Sequence, residues 1–467
     1  MKRPLPRNLL WICWLPFSIL ALGMVLDRTH PLPRRIPSSD HFWSRVGAQA
    51  YNAGDLQRAI PFLALAAAEN ELQPEGWLML GDAYQAAGDP QSALWAWQNT
   101  GDSPAALERR LNAHRRLQDY PAAIADLQTL IALQPEQSSW VYQLGLLLAA
   151  TQPDQAVETL ARAAALSSSY TRPVRALQPR IQAAQPAGQL AYTLLEAGRG
   201  LADLNEWALA AEAFRRATLL RPDYVEAWAF LGEALQHINI PEGKDFSPAG
   251  LSELERAVQL DPCGRCRYRS PCPQVDLPCS LSASLFTALY WRRQGLFRLA
   301  QQSLETLAAR DEQNPVIQVE LGNILAEKGD FKAALLHYSR ATALAPGEPR
   351  YWQALVEFSM RSQYQVRQVA LPAARQLLQL TPTDPAALDL MGQALYLLDD
   401  PLNAERFFRR SIQSDSGYSP AHLHLAQVYL LRSATAAARQ ELSLAVSLAP
   451  GSPSAEYAQR LLQSAFP

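Results

Sequence analysis

The chain has 467 residues, 48% hydrophobic and 18% charged, with a formal net charge of -2. The apolar fraction suffices for a continuous buried core, and the charge balance gives no electrostatic basis for a nucleic-acid partner. Alanine, leucine, glutamine and arginine dominate, and Val-Ile-Thr runs of strand length are nearly absent, so the composition points to helices and away from sheet.

The first predicted element lies at the amino terminus. A basic segment, residues 1–8, carries Lys2, Arg3 and Arg7 and leads into the uncharged run LLWICWLPFSILALGMVL, Leu9 to Leu26. At about 1.5 Å of rise per residue, such a run just spans the hydrocarbon core of a bilayer. Trp11 and Trp14 suit a membrane interface, and Pro16 is tolerated in membrane helices. Residues 9–26 are therefore expected to be a retained transmembrane signal anchor. A signal peptide cleaved near Ala21-Leu22-Gly23 and a buried apolar helix are the alternatives. The basic residues before the span favour a cytoplasmic amino terminus with the rest of the chain extracytoplasmic, although Arg28, Arg34 and Arg35 make the asymmetry slight. Residues 27–41, which include HPLPRRIPSS, read as a stiff proline-rich linker.

Beyond the linker an internal period organises the chain. Segment 77–84, WLMLGDAY, places Trp77, Leu80, Gly81 and Tyr84 in the pattern W-x2-L-G-x2-Y, and Ala93 and Trp97 follow. Small or apolar residues then recur at a step of 34: Gly47 and Gly81, Leu111 and Gly145, Gly198 and Gly232, Ala288 with Gly322 and Val356, and Gly392 and Ala426. A second signature repeats as Ala210-x3-Phe214, Ala334-x3-Tyr338, Ala404-x3-Phe408 and Ala438-x3-Leu442. On these residues the chain resembles the tetratricopeptide-repeat family, with about eleven repeats over roughly residues 42 to 452. The resemblance implies an all-α, right-handed superhelical solenoid of helix-turn-helix repeats, preceded here by the one transmembrane helix. Each helix pair is too short to be stable alone and must cover its apolar stripe with a neighbour. Ala-Gly-Asp at 53–55 and 87–89 and Lys-Gly-Asp at 328–330 predict glycine caps between the paired helices.

The period slips at four places. Gly81 to Leu111 is short, which predicts a truncated second helix; Gly145 to Gly198 is long, which predicts an extra turn or helix around Arg172 to Gln185, within an insertion near 167–188. Gly232 to Ala288 is longest, with some extra residues in the loop INIPEGKD and more after Pro262, and Val356 to Gly392 carries two extra. The expected organisation is an amino-terminal array over 42–262, a loop insertion over 263–280, and a carboxy-terminal array with a capping helix over 281–467.

The loop insertion, PCGRCRYRSPCPQVDLPCS, holds every cysteine outside the apolar run: Cys263, Cys266, Cys272 and Cys279. Two structural readings are close, two disulfides or a four-thiolate zinc site, the first favoured outside the cytoplasm and the second inside it, with free or redox thiols as the third. No other cofactor is expected.

By resemblance, the first helices of the repeats line a concave channel that holds protein or peptide segments, through positions 5, 9, 12 and 13 of each repeat. Here these positions include Asp82, Gln85, Arg199, Glu233, Gln236, Arg292, Asn323, Gln353, Glu357, Asp389, Gln393 and Gln427. No G-x-G-x-x-G, G-x4-G-K-[ST], G-x-S-x-G or H-E-x-x-H pattern occurs. His422 and His424, two apart on a helix, make a poor metal pair. The expected role is a membrane-tethered, non-catalytic scaffold for protein partners. The alternatives are an assembly factor whose cysteine loop binds zinc and acts as the recognition element, and a soluble exported adaptor after signal cleavage.

Overall fold

A computed structural model of the chain describes residues 41–238, 240–241, 244–261 and 281–465. Over these residues the protein is all-α, with twenty-four α-helices and no strand. They fall into two compact units, one ending at Glu136 and one beginning at Gln137, which are taken in turn.

The first unit is three helical hairpins. These are α1 (Phe42–Asn52) with α2 (Leu56–Ala68), α3 (Pro74–Ala86) with α4 (Pro90–Gln98), and α5 (Pro104–Arg116) with α6 (Tyr120–Leu133). We call the first helix of each hairpin A and the second B. Asp55, Asp89 and Asp119 cap the B helices, their carboxylates accepting from the backbone N–H of Arg58, Ser92 and Ala122. Such caps are worth about 0.5–2 kcal/mol each. Helix α4 has nine residues where the other B helices of this unit have thirteen and fourteen, which is the truncation expected from the short step between Gly81 and Leu111.

The second unit begins with α7 (Ser138–Thr151) and α8 (Pro153–Leu166), then the unpaired α9 (Thr171–Ala184), then α10 (Leu190–Asp203) with α11 (Trp207–Leu220). It continues with α12 (Val225–Gln236) and α13 (Leu251–Leu260), α14 (Leu281–Arg293) and α15 (Phe297–Ala308), and α16 (Pro315–Glu327) and α17 (Phe331–Leu344). It ends with α18 (Pro349–Arg361) and α19 (Leu371–Leu380), α20 (Pro385–Leu397) and α21 (Pro401–Ser414), α22 (Ser419–Leu431) and α23 (Thr435–Leu448), and the closing α24 (Pro453–Ala465). The two helices of each hairpin pack on each other, and successive A helices also touch: α12 with α14, and α16, α18, α20 and α22 in turn. Helix α24 packs on α23 and α22, in the place expected for a cap.

Each slip of the period has a structural counterpart. Helix α9, flanked by 3-10 turns at Ser168–Tyr170 and Gln185–Ala187, is the extra helix expected between Arg172 and Gln185. It buries Leu177 and Ile181, while α7 still reaches α10 and α11. Helix α13 ends six residues later than an unbroken period allows, matching the insertion read in the loop, but it has also lost its first turn and is ten residues long. Its start is Gly250, at φ 94°, where a Cβ would lie 2.1 Å from the carbonyl oxygen of Gly232; only a residue without one fits there. The two extra residues after Val356 are divided. One widens the turn, Ser362 to Gln365, and one is absorbed by a π-helical segment, Val366–Ala370, the usual form of a single-residue insertion in a helix.

The left-handed residue between A and B helices is only partly glycine. Gly54, Gly88 and Gly329 fill it as the sequence suggests, and so does Gly295, but Gln118, Asn205, Asp399 and Ser433 hold the same position at φ 58° to 63°. The hairpin turn imposes the conformation even where the residue disfavours it.

In seven hairpins a large B side chain is seated on a glycine of helix A. Phe214 lies against Gly198, Tyr338 against Gly322 and Phe408 against Gly392, and all three are almost fully buried. A Cβ on Gly392 would sit 2.5 Å from Phe408 Cε1. Gly392→Ala is therefore expected to destabilise the second unit by about 1–3 kcal/mol through overpacking. Urea unfolding measures this, and combining it with Phe408→Leu should cost less than the sum of the two single changes.

Candidate functional site

The A-helix faces that sequence positions 5, 9, 12 and 13 define are brought into rows, but most of their polar groups are spent on one another. In the first unit, Arg109 of α5 donates through Nε and Nη2 to the two carboxylate oxygens of Asp82 on α3, at 2.7 and 3.0 Å, and Tyr51 of α1 donates to the same carboxylate at 3.4 Å. Asp82 thus ties three successive A helices. Gln85, one turn on, has its Oε1 buried without a hydrogen-bond partner among the described residues.

In the second unit, Arg199 donates to Glu196 at 2.8 Å and lies over the Phe230 ring at 5.3 Å. Glu233 and Gln236 of α12 are not an open surface. Arg293 of α14 holds Glu233 with two hydrogen bonds, 2.7 and 2.8 Å, and donates to Gln236 Oε1 at 3.0 Å. His237 lies 3.3 Å from Glu233, stacks on Trp207 at 3.8 Å, and meets Phe246 edge-on; Arg293 in turn covers Phe246. Burial opposes the charge of Glu233, but the hydrogen bonds and positive charges of His237 and Arg293 outweigh it and hold this carboxyl below the usual carboxylate range. Arg292 pairs with Glu320 at 3.5 Å and Glu327 at 2.9 Å. Asn323 donates to Glu320 and accepts from the Tyr338 hydroxyl.

Five of the expected groove residues do meet at one opening. Gln353 and Glu357 of α18, Asp389 and Gln393 of α20, and Gln427 of α22 line a cavity of about 530 Å³. Asp389, almost fully buried, accepts from Gln393 Nε2 and is hydrogen-bonded to His424 Nδ1, both at 2.8 Å. Gln353 donates to Glu357 at 2.8 Å. The cavity also takes in Met360, Arg361, Tyr396, Tyr418 and His424, none of which the sequence reading placed in the groove. Met360, Arg361 and Tyr396 stand at positions 12 and 13 of their repeats and were open to that rule; Tyr418 and His424 fall outside it. Burial, with the negative charges of Asp389, Asp384 and Glu357, pushes the Tyr418 hydroxyl far up, so it stays a proton donor. His422, two residues from His424, faces away to Glu441 of α23 at 2.6 Å, as the helical spacing of the pair requires. The opening offers donors in Arg361, Tyr418 and Gln427 and an acceptor in Glu357, a set suited to the amides and side chains of an extended peptide.

The anchor expected at 9–26, nearly all of the linker, and Cys263, Cys266, Cys272 and Cys279 lie outside the described residues. Among the described residues no helix is long and apolar enough to cross a membrane, and no group of three or more His, Cys, Asp or Glu is placed to hold a metal ion.

Comparison with known proteins agrees with this architecture. One tetratricopeptide-repeat model matches residues 109–171 and 195–241, and a second matches 292–357. The chain thus carries tetratricopeptide repeats over these segments, and its described residues are all-helical. No curated protein matches it. Among solved structures it is similar to yeast Tom70, at 15% identity over 91% of this chain and 94% of that one, with a TM-score of 0.45. It is also similar to MamA 41-end from Desulfovibrio magneticus RS-1, at 19% identity over 34% of this chain and 90% of that one, with a TM-score of 0.31. A third is YrrB, titled a TPR protein with an unusual peptide-binding site, at 18% identity over 38% of this chain and 91% of that one, with a TM-score of 0.30. At these scores the likenesses carry no argument about function.

Arg293 and Glu233 give a prediction. Their side chains are 11% and 12% exposed, so removing one partner strands the other's charge. Arg293→Met is expected to cost about 3–5 kcal/mol in urea unfolding. The depressed carboxyl of Glu233 contributes stability that is full above the ordinary glutamate value, about 4.3, and is lost as pH falls through the lower folded value. Glu233→Gln should remove that part of the acid loss, seen as a shallower fall in melting temperature below pH 4.3.

Proposed function

We propose that this protein is a non-catalytic adaptor that holds a partner protein by an extended segment laid across α18, α20 and α22. The observation that supports it most is the cavity over these three A helices, where the side chains of Arg361, Gln427 and Tyr418 have no hydrogen bond or ion pair to any described residue. At Glu233 in the same unit, and at Asp82 within the first unit, the polar groups hold each other and have less to offer a ligand. The matching family models are repeat models, in keeping with a binding role. We include in the proposal that residues 9–26 tether the array to a membrane and that it lies on the extracytoplasmic side. The support is the uncharged apolar run and the basic residues before it.

Two measurements test this. Gln427→Trp places a large ring in the cavity from a half-buried position, and is expected to weaken partner capture at least about tenfold, equivalent to 1.4 kcal/mol, without moving the melting temperature. Equal capture by variant and wild type rules the groove out. Alkaline extraction of native membranes should leave the full chain in the pellet, and protease added outside should digest the array. Release into the supernatant, or protection from that protease, rejects the tether or its orientation.

A further inference from the structure

Two cavities meet at Arg361. The first is the polar opening over α18, α20 and α22. The second, of about 230 Å³, lies among α16, α17 and α18, and its walls are chiefly Ala326, Phe331, Tyr338 and Phe358. It is larger than the roughly 150 Å³ apolar cavity that accepts benzene. Its aromatic walls are built against one another: Phe358 stacks on Tyr338 at 4.6 Å and Phe331 tilts against Phe358 at 6.5 Å. The two hydroxyls there are occupied: Tyr338 donates to Asn323, and burial pushes it far up so that it stays neutral, while Ser362 donates to the Phe358 carbonyl at 2.7 Å. The pocket therefore suits one large apolar side chain.

Arg361 stands on the rim of both cavities. It is exposed, and no described residue pairs with it by hydrogen bond or salt bridge. The nearby acids have other partners. Glu327 is held by Arg292 at 2.9 Å, Asp389 by His424 and Gln393 at 2.8 Å each, and Glu357 accepts from Gln353 at 2.8 Å. Its place in the last turn of α18 favours a cation through the helix dipole, by about 0.3–1 kcal/mol, which explains why an arginine is tolerated but supplies no counter-charge. An unpaired guanidinium beside an aromatic pocket is complementary to a carboxylate beside an apolar side chain.

We propose that the groove selects partner segments in which a large apolar residue lies within two positions of an aspartate or glutamate. The apolar side chain enters the pocket of Phe331, Tyr338 and Phe358, and the carboxylate pairs with Arg361. This rests on the groove reading above and specifies its ligand.

The test is selection of a displayed random octapeptide library on the full chain and on two variants. The wild type is expected to enrich Phe, Trp or Leu within two positions of Asp or Glu. Arg361→Gln is expected to lose the acidic preference and keep the apolar one, with Arg361→Lys intermediate. Ala326→Phe, which fills the pocket, is expected to do the reverse; Ser362→Phe on the same pocket serves if the first does not fold. A selected peptide with its acid changed to the amide should bind the wild type about tenfold more weakly and Arg361→Gln no more weakly than its parent. An acidic preference unchanged in Arg361→Gln, or no apolar preference in the wild type, overturns the proposal. Peptides that lose binding with Gln427→Trp yet ignore Arg361 and Ala326 overturn it while leaving the groove in place. Failure to enrich any peptide overturns both.

Discussion

What helix A lacks sets its distance from helix B. Where Gly198, Gly322 and Gly392 stand, there is no side chain between the A backbone and the rings of Phe214, Tyr338 and Phe408. The ring takes the space, loses nearly all its exposure, and fixes the depth at which the two helices dock. Helices of thirteen or fourteen residues are marginal in isolation, so this contact, with the next hairpin laid on the other side, is what makes them helices at all. Fully burying one such ring stabilises the fold by about 1.5–3 kcal/mol, and the gain recurs hairpin by hairpin. Leu336 and Leu402, on B helices away from this contact, stay largely exposed.

The same docking turns the opposite edge of each A helix toward its successor. Side chains from consecutive A helices then stand close enough to pair: Asp82 with Arg109, Glu233 with Arg293, Arg292 with Glu327, Asp389 with His424. Their worth differs with burial. The pair of Arg292 with the more exposed Glu327 contributes about 0–1 kcal/mol, whereas the Glu233 and Arg293 pair is sheltered by Phe246 and His237 and cannot be broken on one side cheaply. A polar groove residue is therefore first a partner of its neighbour. It is available to a ligand only where the lateral pairing stops, and around α18 it stops: Gln353 and Glu357 bond within their own helix, and Arg361 bonds to nothing described.

This explains which parts of the molecule were legible in its residues. The period of 34 identified the hairpins, the shortened α4, the added α9 and the late end of α13, because all of these are matters of counting along one dimension. The turn residues were half legible: Gly329 announces its left-handed conformation, while Ser433 adopts it under the constraint of the hairpin on either side. Function was less legible still. Glu233 and Glu357 hold the same position in their repeats, yet one is sealed beneath an arginine and the other lines an opening. The difference comes from position 13 of the following repeat, Arg293, which lies sixty residues along the chain from Glu233, beyond a break in the period. A periodic rule assigns a face to a residue. It does not say which neighbour reaches it.

The position of the smallest slip has a physical consequence for the site. The two residues added after Val356 widen the turn that follows Arg361 and convert the next helical turn to π geometry. The widened turn holds two residues in the left-handed region, Gln363 and Gln365, where other hairpins have one. It carries the Tyr364 ring against Phe331 at 6.0 Å, and the Ser362 hydroxyl folds back onto the Phe358 carbonyl at 2.7 Å. Phe331, Phe358 and Ser362 all border the aromatic pocket, so the pocket sits where the period is strained, not where it is regular. A regular three-residue turn would shorten this edge and remove one of the two added residues, the other remaining in the π-helical segment. The strained backbone is retained against a cost of about 1–3 kcal/mol per unfavourable residue, and the enclosed space beside an unpaired arginine is the structural feature that goes with it.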